Sequence, residues 1–113
     1  MGIRLSDGFR QDRGASLRNS EGLSGTENIW GKQAKWTDYT SIRQGNKAGI
    51  AFFDQPFNPR YTTYWHARGY GLNAANPVGL ASFTKDKTRD GNFAIPAEQI
   101  TFRYRFVLHY GDF

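Results

Sequence analysis

A short stretch from Asp54 to Asn76 carries most of the side chains with chemistry to offer: Asp54, Asn58, Arg60, Trp65, His66, Arg68, Tyr70 and Asn76. The mixture suits a carbohydrate. Amides and guanidinium forks bond vicinal hydroxyls, and an aromatic face stacks on the apolar side of a sugar ring. Asn58, Arg60, Trp65, Arg68, Tyr70 and Asn76 are therefore the predicted ligand contacts, and an anionic sugar would suit the two arginines best. His66 is the natural acid–base group, because an unperturbed imidazole titrates near neutrality. Asp54 is expected to orient it or to share the proton transfer. Glu21, in Asn19-Ser20-Glu21-Gly22, is the second candidate carboxylate, in the site or paired with one of its arginines.

Each of these residues also has a purely structural reading. A histidine beside a tryptophan packs in many folds, and an aspartate that ends a strand caps the following turn. Arginines brace loops by bonding carbonyls, and Asn19-Ser20 makes a turn that leaves Glu21 exposed. His109 shares a strand face with Arg103 and Arg105, a row that lines a concave sheet or faces solvent. His66, His109 and Asp54 would just meet the count for a copper or iron site. No metal and no cofactor is predicted. The chain has no cysteine, which excludes disulfides and thiolate chemistry.

The elements that must position these groups read as short strands. Lys47 to Asp54 is apolar on both parities and predicts a central strand. Pro56 and Pro59 then make a loop of Gln55 to Arg60. Tyr61 to Tyr70 predicts a strand broken at Gly69. Ile100 to His109 predicts another, with Ile100, Phe102, Tyr104, Phe106 and Leu108 on one face. Ile29 to Tyr39 places Trp30, Ala34 and Trp36 on one strand face, most simply as core. Ile3 and Leu5 suggest a short strand, and Leu80 to Thr84 another. Gly71 to Gly79 and the glycine-rich stretch before Glu27 read as loops, and Asp90-Gly91 as a turn. No helical period runs through the chain. The sum is an all-β fold, an antiparallel β-sandwich in one domain of residues 1–113.

Composition narrows the partners. The 113 residues carry a formal net charge of +5, but the basic residues are scattered, with no zinc spacing and no basic helix, so nucleic acid is not an expected partner. No apolar run approaches the roughly 20 residues that span a bilayer, so no membrane partner is expected. Residues 1–20 contain no apolar core of a signal peptide.

A set of motifs in fixed order resembles a known family. They are Arg18-Asn19-Ser20-Glu21-Gly22, Trp30-Gly31-Lys32 with Trp36 and Tyr39, and Gly49-Ile50-Ala51 leading to Asp54-x-Pro56-x-Asn58-Pro59-Arg60. Trp65-His66-x-Arg68-x-Tyr70-Gly71-Leu72, Ala75-Asn76-Pro77 and Phe102-Arg103-Tyr104-Arg105 complete them. The order and spacing resemble the C-terminal half of the PmoA-like family, called the methane oxygenase PmoA domain family. The family pattern has Asp-His-Pro where this chain has Asp54-Gln55-Pro56, so a role for that histidine is absent here. The resemblance implies a sandwich like that of galactose mutarotases. It also implies a half-size chain, either a fragment or a shortened member that completes its sheet as a homo-oligomer. Methane oxidation is not expected of a chain with two histidines and no spanning segment. The functional expectation is a carbohydrate-active protein in which His66, with Asp54 or Glu21, transfers a proton. The alternative is a non-catalytic sandwich that binds glycans or other proteins.

Overall fold

The computed structural model describes residues 1–86, 88 and 99–112. Two antiparallel sheets face each other. The larger is built from β2 (Ser16–Asn19), β3 (Trp36–Arg43), β4 (Asn46–Asp54) and β7 (Tyr104–Tyr110), in the order β2-β3-β4-β7. The smaller is built from β1 (Gly2–Arg4), β5 (Tyr64–Arg68) and β6 (Leu72–Asn76), in the order β1-β6-β5. Two short α-helices, α1 (Thr26–Ile29) and α2 (Leu80–Thr84), and two single 3-10 turns, Asp7–Phe9 and Gln11–Arg13, complete the regular structure of the described residues. The fold class is the expected one, all-β with two layers.

Local chemistry explains the two hairpins. Between β3 and β4, Gln44 and Gly45 both take positive φ, 51° and 79°. That two-residue turn matches the twist of its strands and fixes the register from Trp36↔Phe53 to Arg43↔Asn46. Between β5 and β6 the chain reverses through Gly69-Tyr70-Gly71, with Gly71 at φ 91°. A Cβ at Gly71 would also stand 3.1 Å from the Leu5 carbonyl.

The inward parity of each strand makes the core. Leu17, Tyr39 and Phe52 from the larger sheet meet Trp65, Ala67 and Ala75 from the smaller, with Ile29 of α1 at one side. The Phe52 and Trp65 rings meet edge to face at 4.9 Å. Full burial of each large apolar side chain contributes about 1.5–3 kcal/mol. Polar bonds then fix how the sheets register. Tyr39 Oη donates to the Arg68 carbonyl at 2.9 Å, and burial raises the phenol's pKa above its ordinary 10.0. Asn73 Nδ2 donates to Thr37 Oγ1 at 2.8 Å, and Trp65 Nε1 donates to the Ala34 carbonyl at 2.9 Å.

The sheets are tied together at one end by a carboxylate. Asp54, the last residue of β4, is buried. Its Oδ1 accepts from the Gln55 amide at 3.0 Å and from Asn58 Nδ2 at 2.7 Å. Its Oδ2 accepts from the Thr63 amide at 2.9 Å, just before β5. Asn58 then grips the chain entering β7, donating to the Arg103 carbonyl at 2.6 Å and accepting from the Arg103 amide at 2.7 Å.

Several expected elements differ. The strand expected from Ile29 to Tyr39 begins only at Trp36. Residues 26–29 are helical, and the segment after them runs along the edge of β5 instead, with Trp30 outside the core. Leu80 to Thr84 is a helix, because Phe83 is drawn onto Trp30 and Tyr64. The stretch read as a loop after Gly71 contains β6, the central strand of its sheet. Its side chains in Leu72-Asn73-Ala74-Ala75-Asn76 are mostly small or polar, so backbone pairing on both edges specifies it rather than apolar alternation. β2 was likewise hidden among glycines. The last strand starts at Tyr104 rather than Ile100. The Asp90-Gly91 turn lies outside the described residues.

Replacing Asp54 by alanine should destabilise the fold by about 1–3 kcal/mol, since it removes the acceptor of three donors and leaves the buried Thr63 amide unpaired. Urea unfolding of Asp54→Ala against wild type measures this. Asp54→Asn should recover part of the loss.

Candidate functional site

Alternation along β5 sends Trp65 and Ala67 into the core and Tyr64, His66 and Arg68 to the outer face of the smaller sheet. That outer face is roofed by aromatic rings from two other elements. Trp30 follows α1 and Phe83 belongs to α2. The His66 ring lies edge-on to both, at centroid distances of 6.2 Å and 6.1 Å. Tyr64 stacks on Phe83 at 5.9 Å and 20°, and Trp30 meets Phe83 at 5.2 Å. The Arg68 guanidinium sits over the Trp30 ring at 5.4 Å.

Among the described residues neither ring nitrogen of His66 makes a hydrogen bond. Burial lowers its pKa below the ordinary 6.5, and the nearby positive charge of Arg68 lowers it further, so the ring is neutral at pH 7. The Trp30 indole N–H is also buried and unpartnered. Alongside runs a recess of about 340 Å³, walled by Gln33, Arg60, Tyr61, Tyr64, Pro77 and Leu80. Arg60, at φ 61°, is held there by a bond from Nη1 to the Pro77 carbonyl at 2.9 Å. Gln33 Nε2 donates to the Thr62 carbonyl at 2.9 Å.

The structure brings together only part of the predicted set. His66 and Arg68 both lie against Trp30, and Arg60 lines the recess with Tyr64. Trp65 has no exposed surface and is a core residue, so it offers no ring to a ligand. Asp54 and Asn58 are committed to the strand-end clamp and leave His66 without a carboxylate partner. Glu21 is exposed on a turn, where its Oε1 accepts from Ser20 Oγ at 3.4 Å. Tyr70 is exposed at the hairpin tip under the Arg4 guanidinium, 4.8 Å from its ring centre. Asn76 Oδ1 accepts from the Val78 amide at 3.0 Å and shapes the turn into α2. Gln33, Tyr61 and Tyr64 were missed, although the aromatic pair flanking two threonines was a visible signal.

A second polar cluster lies on the outer face of the larger sheet. Asp38 of β3 has no exposed surface. His109 of β7 reaches it across the intervening strand, Nε2 to Oδ1 at 2.6 Å. Thr40 Oγ1 donates to Oδ2 at 2.8 Å, and Arg18 Nε stands 3.6 Å from Oδ2. The reach is possible because residue 49, between them on β4, is glycine. A Cβ there would stand 2.7 Å from His109 Nε2 and 2.8 Å from Thr40 Oγ1. The other imidazole nitrogen, Nδ1, is 3.0 Å from the Gly111 carbonyl. Both nitrogens thus face oxygen atoms. The pair is a tie across three strands, and it offers no open nitrogen to a substrate. Asp38 was not foreseen, though a glycine amid the apolar residues of β4 signalled a close approach.

Two outcomes follow from these geometries. Because native His66 favours the neutral form, stability should be complete above pH 6.5 and decline as pH falls through the lowered native value. Urea unfolding at several pH values measures the slope, which should flatten in His66→Leu. Gly49→Ala should cost about 1–3 kcal/mol by forcing the imidazole off Asp38. The loss should shrink when His109→Ala is added, as a double-mutant cycle would show.

Comparison with known proteins revises the family reading. No curated protein matches the chain, and no solved structure matches it. A family model does match, over residues 1–113, and it is that of DUF6807, a family of unknown function. The match overturns the resemblance to the PmoA-like family, and the expectations of a mutarotase relationship and of a half-size chain lose their basis with it. Over its whole length the chain belongs to the DUF6807 family, a family of unknown function.

Proposed function

We propose that this protein binds a carbohydrate on the outer face of its smaller sheet. The observation that carries the reading is a recess walled by two tyrosines, an amide and a guanidinium, on the sheet face to which β5 also turns His66. Tyr61 and Tyr64 supply aromatic surface of the kind that stacks on a pyranose ring. Gln33 and Arg60 supply planar donors of the kind that bond vicinal hydroxyls or a uronic carboxylate. A volume of about 340 Å³ lies within the range of small-ligand sites and suits one or two sugar rings.

The reading divides on His66. As a neutral base with unbonded nitrogens, it supports proton transfer on a bound sugar, as in epimerisation or elimination. Such reactions also need a second acid–base group, and Asp54 and Glu21 are placed elsewhere. Their placement favours recognition without turnover.

Isothermal titration against a panel of neutral monosaccharides and uronic acids tests the reading. At least one sugar should bind, and Tyr64→Ala and Gln33→Ala should each weaken it by about tenfold, or 1.4 kcal/mol. His66→Ala should change affinity less than either. If no sugar in the panel binds, or if both recess variants bind as wild type does, the proposal fails.

A further inference from the structure

The two sheets have four edges, and three of them are blunted. Backbone bonds from residues 31–34 cover β5, with Gly31 donating to the Trp65 carbonyl at 2.8 Å and Trp65 donating to the Lys32 carbonyl at 3.0 Å. The 23–25 turn covers β2, with Gly25 donating to the Leu17 carbonyl at 2.8 Å and Asn19 to the Leu23 carbonyl at 3.0 Å. β1 is only three residues long and carries Arg4. The fourth edge, β7, has no covering segment among the described residues and is more than twice the length of β1. It runs for seven residues without proline or bulge and pairs with β4 in unbroken register from Ala48↔Tyr110 to Asp54↔Tyr104. Bare edges of this kind are templates for another strand.

The inward face of β7 is also under-covered toward its end. Leu108 is 80% exposed and Tyr110 89%. They border an apolar groove of about 400 Å³ whose other walls include Leu5, Phe9 and Ile50.

We infer that β7 is a self-association edge, pairing antiparallel with β7 of a second copy about a two-fold axis at Val107. The sequence of the strand is what selects a second copy. Reversed about Val107, it lays Tyr104 against the partner's Tyr110 and Phe106 against the partner's Leu108, so the apolar row meets an apolar row. On the other face Arg105 meets the partner's His109, whose imidazole already rests on the buried carboxylate of Asp38. All seven residues find a partner in this register, and the two larger sheets become one of eight strands. Shifting it by one residue would set each apolar row against the partner's polar one. The groove residues Leu108 and Tyr110 gain the cover that the smaller sheet does not give them.

Analytical ultracentrifugation at about 100 µM, which populates even a small interface, should find a dimer. Leu108→Lys should return it to monomer with an unchanged melting temperature at low concentration, since the side chain is already exposed in one copy. The chain has no cysteine, so Val107→Cys is an independent probe. Directly opposed residues on antiparallel strands are about 4.5–5.5 Å apart at Cα, within disulfide reach. Mild oxidation should therefore cross-link Val107→Cys and leave Thr101→Cys, outside the strand, uncross-linked. A monomeric wild type overturns the inference. So does a dimer that survives Leu108→Lys, or one in which the cysteine at position 107 fails to cross-link.

Discussion

The carboxylate of Asp54 is the constraint on which the arrangement of the two sheets depends. It ends β4 of one sheet, receives the amide that begins β5 of the other, and holds Asn58, which fixes the entry to β7. A buried carboxylate is tolerated here because two backbone amides and one side-chain amide satisfy its oxygens. The proline-bounded loop between β4 and β5 is thus a folded clamp. The core contact of Phe52 with Trp65 lies just behind it and is aligned by it.

The two histidines show how environment divides one side-chain type between two tasks. His109 is held by oxygen atoms at both nitrogens and works as a tie over Gly49. His66 is enclosed by Trp30 and Phe83, with a cation nearby and no bonded oxygen among the described residues. Desolvation and Arg68 together keep it neutral. The first environment holds strands in register, and the second keeps an imidazole neutral on the outer face of the smaller sheet. None of the described helices is long and apolar enough to cross a membrane.

The outer face of the smaller sheet owes its shape to pieces that lie far apart in the chain. Trp30 and Gln33 come from the segment that covers the β5 edge, and Arg60 and Tyr61 from the end of the clamp loop. Tyr64 and His66 come from β5 itself, and Phe83 comes from α2. The same backbone bonds that blunt the β5 edge therefore build the recess. Stability and the candidate ligand surface are coupled there.

Sequence alone determined the class of this fold and its strongest strands. Period-two alternation in Tyr104 to Leu108 and the two-sided apolar run ending at Asp54 are local signals, and glycine and proline mark breaks locally too. The outward turn of His66 and Arg68 on one strand was also legible, because period-two alternation is local. Tertiary structure decided the rest. β6 is a strand through pairing on both sides, with little in its own residues to announce it. Asp54 was separated from His66 because the clamp claimed its oxygens and strand alternation turned the imidazole outward. Asp38 met His109 only because β3, β4 and β7 align in a particular register, with a glycine between them. A side chain's period along its own strand is written in its neighbours, whereas its partners depend on which strands pair, in what register, and what then covers each face.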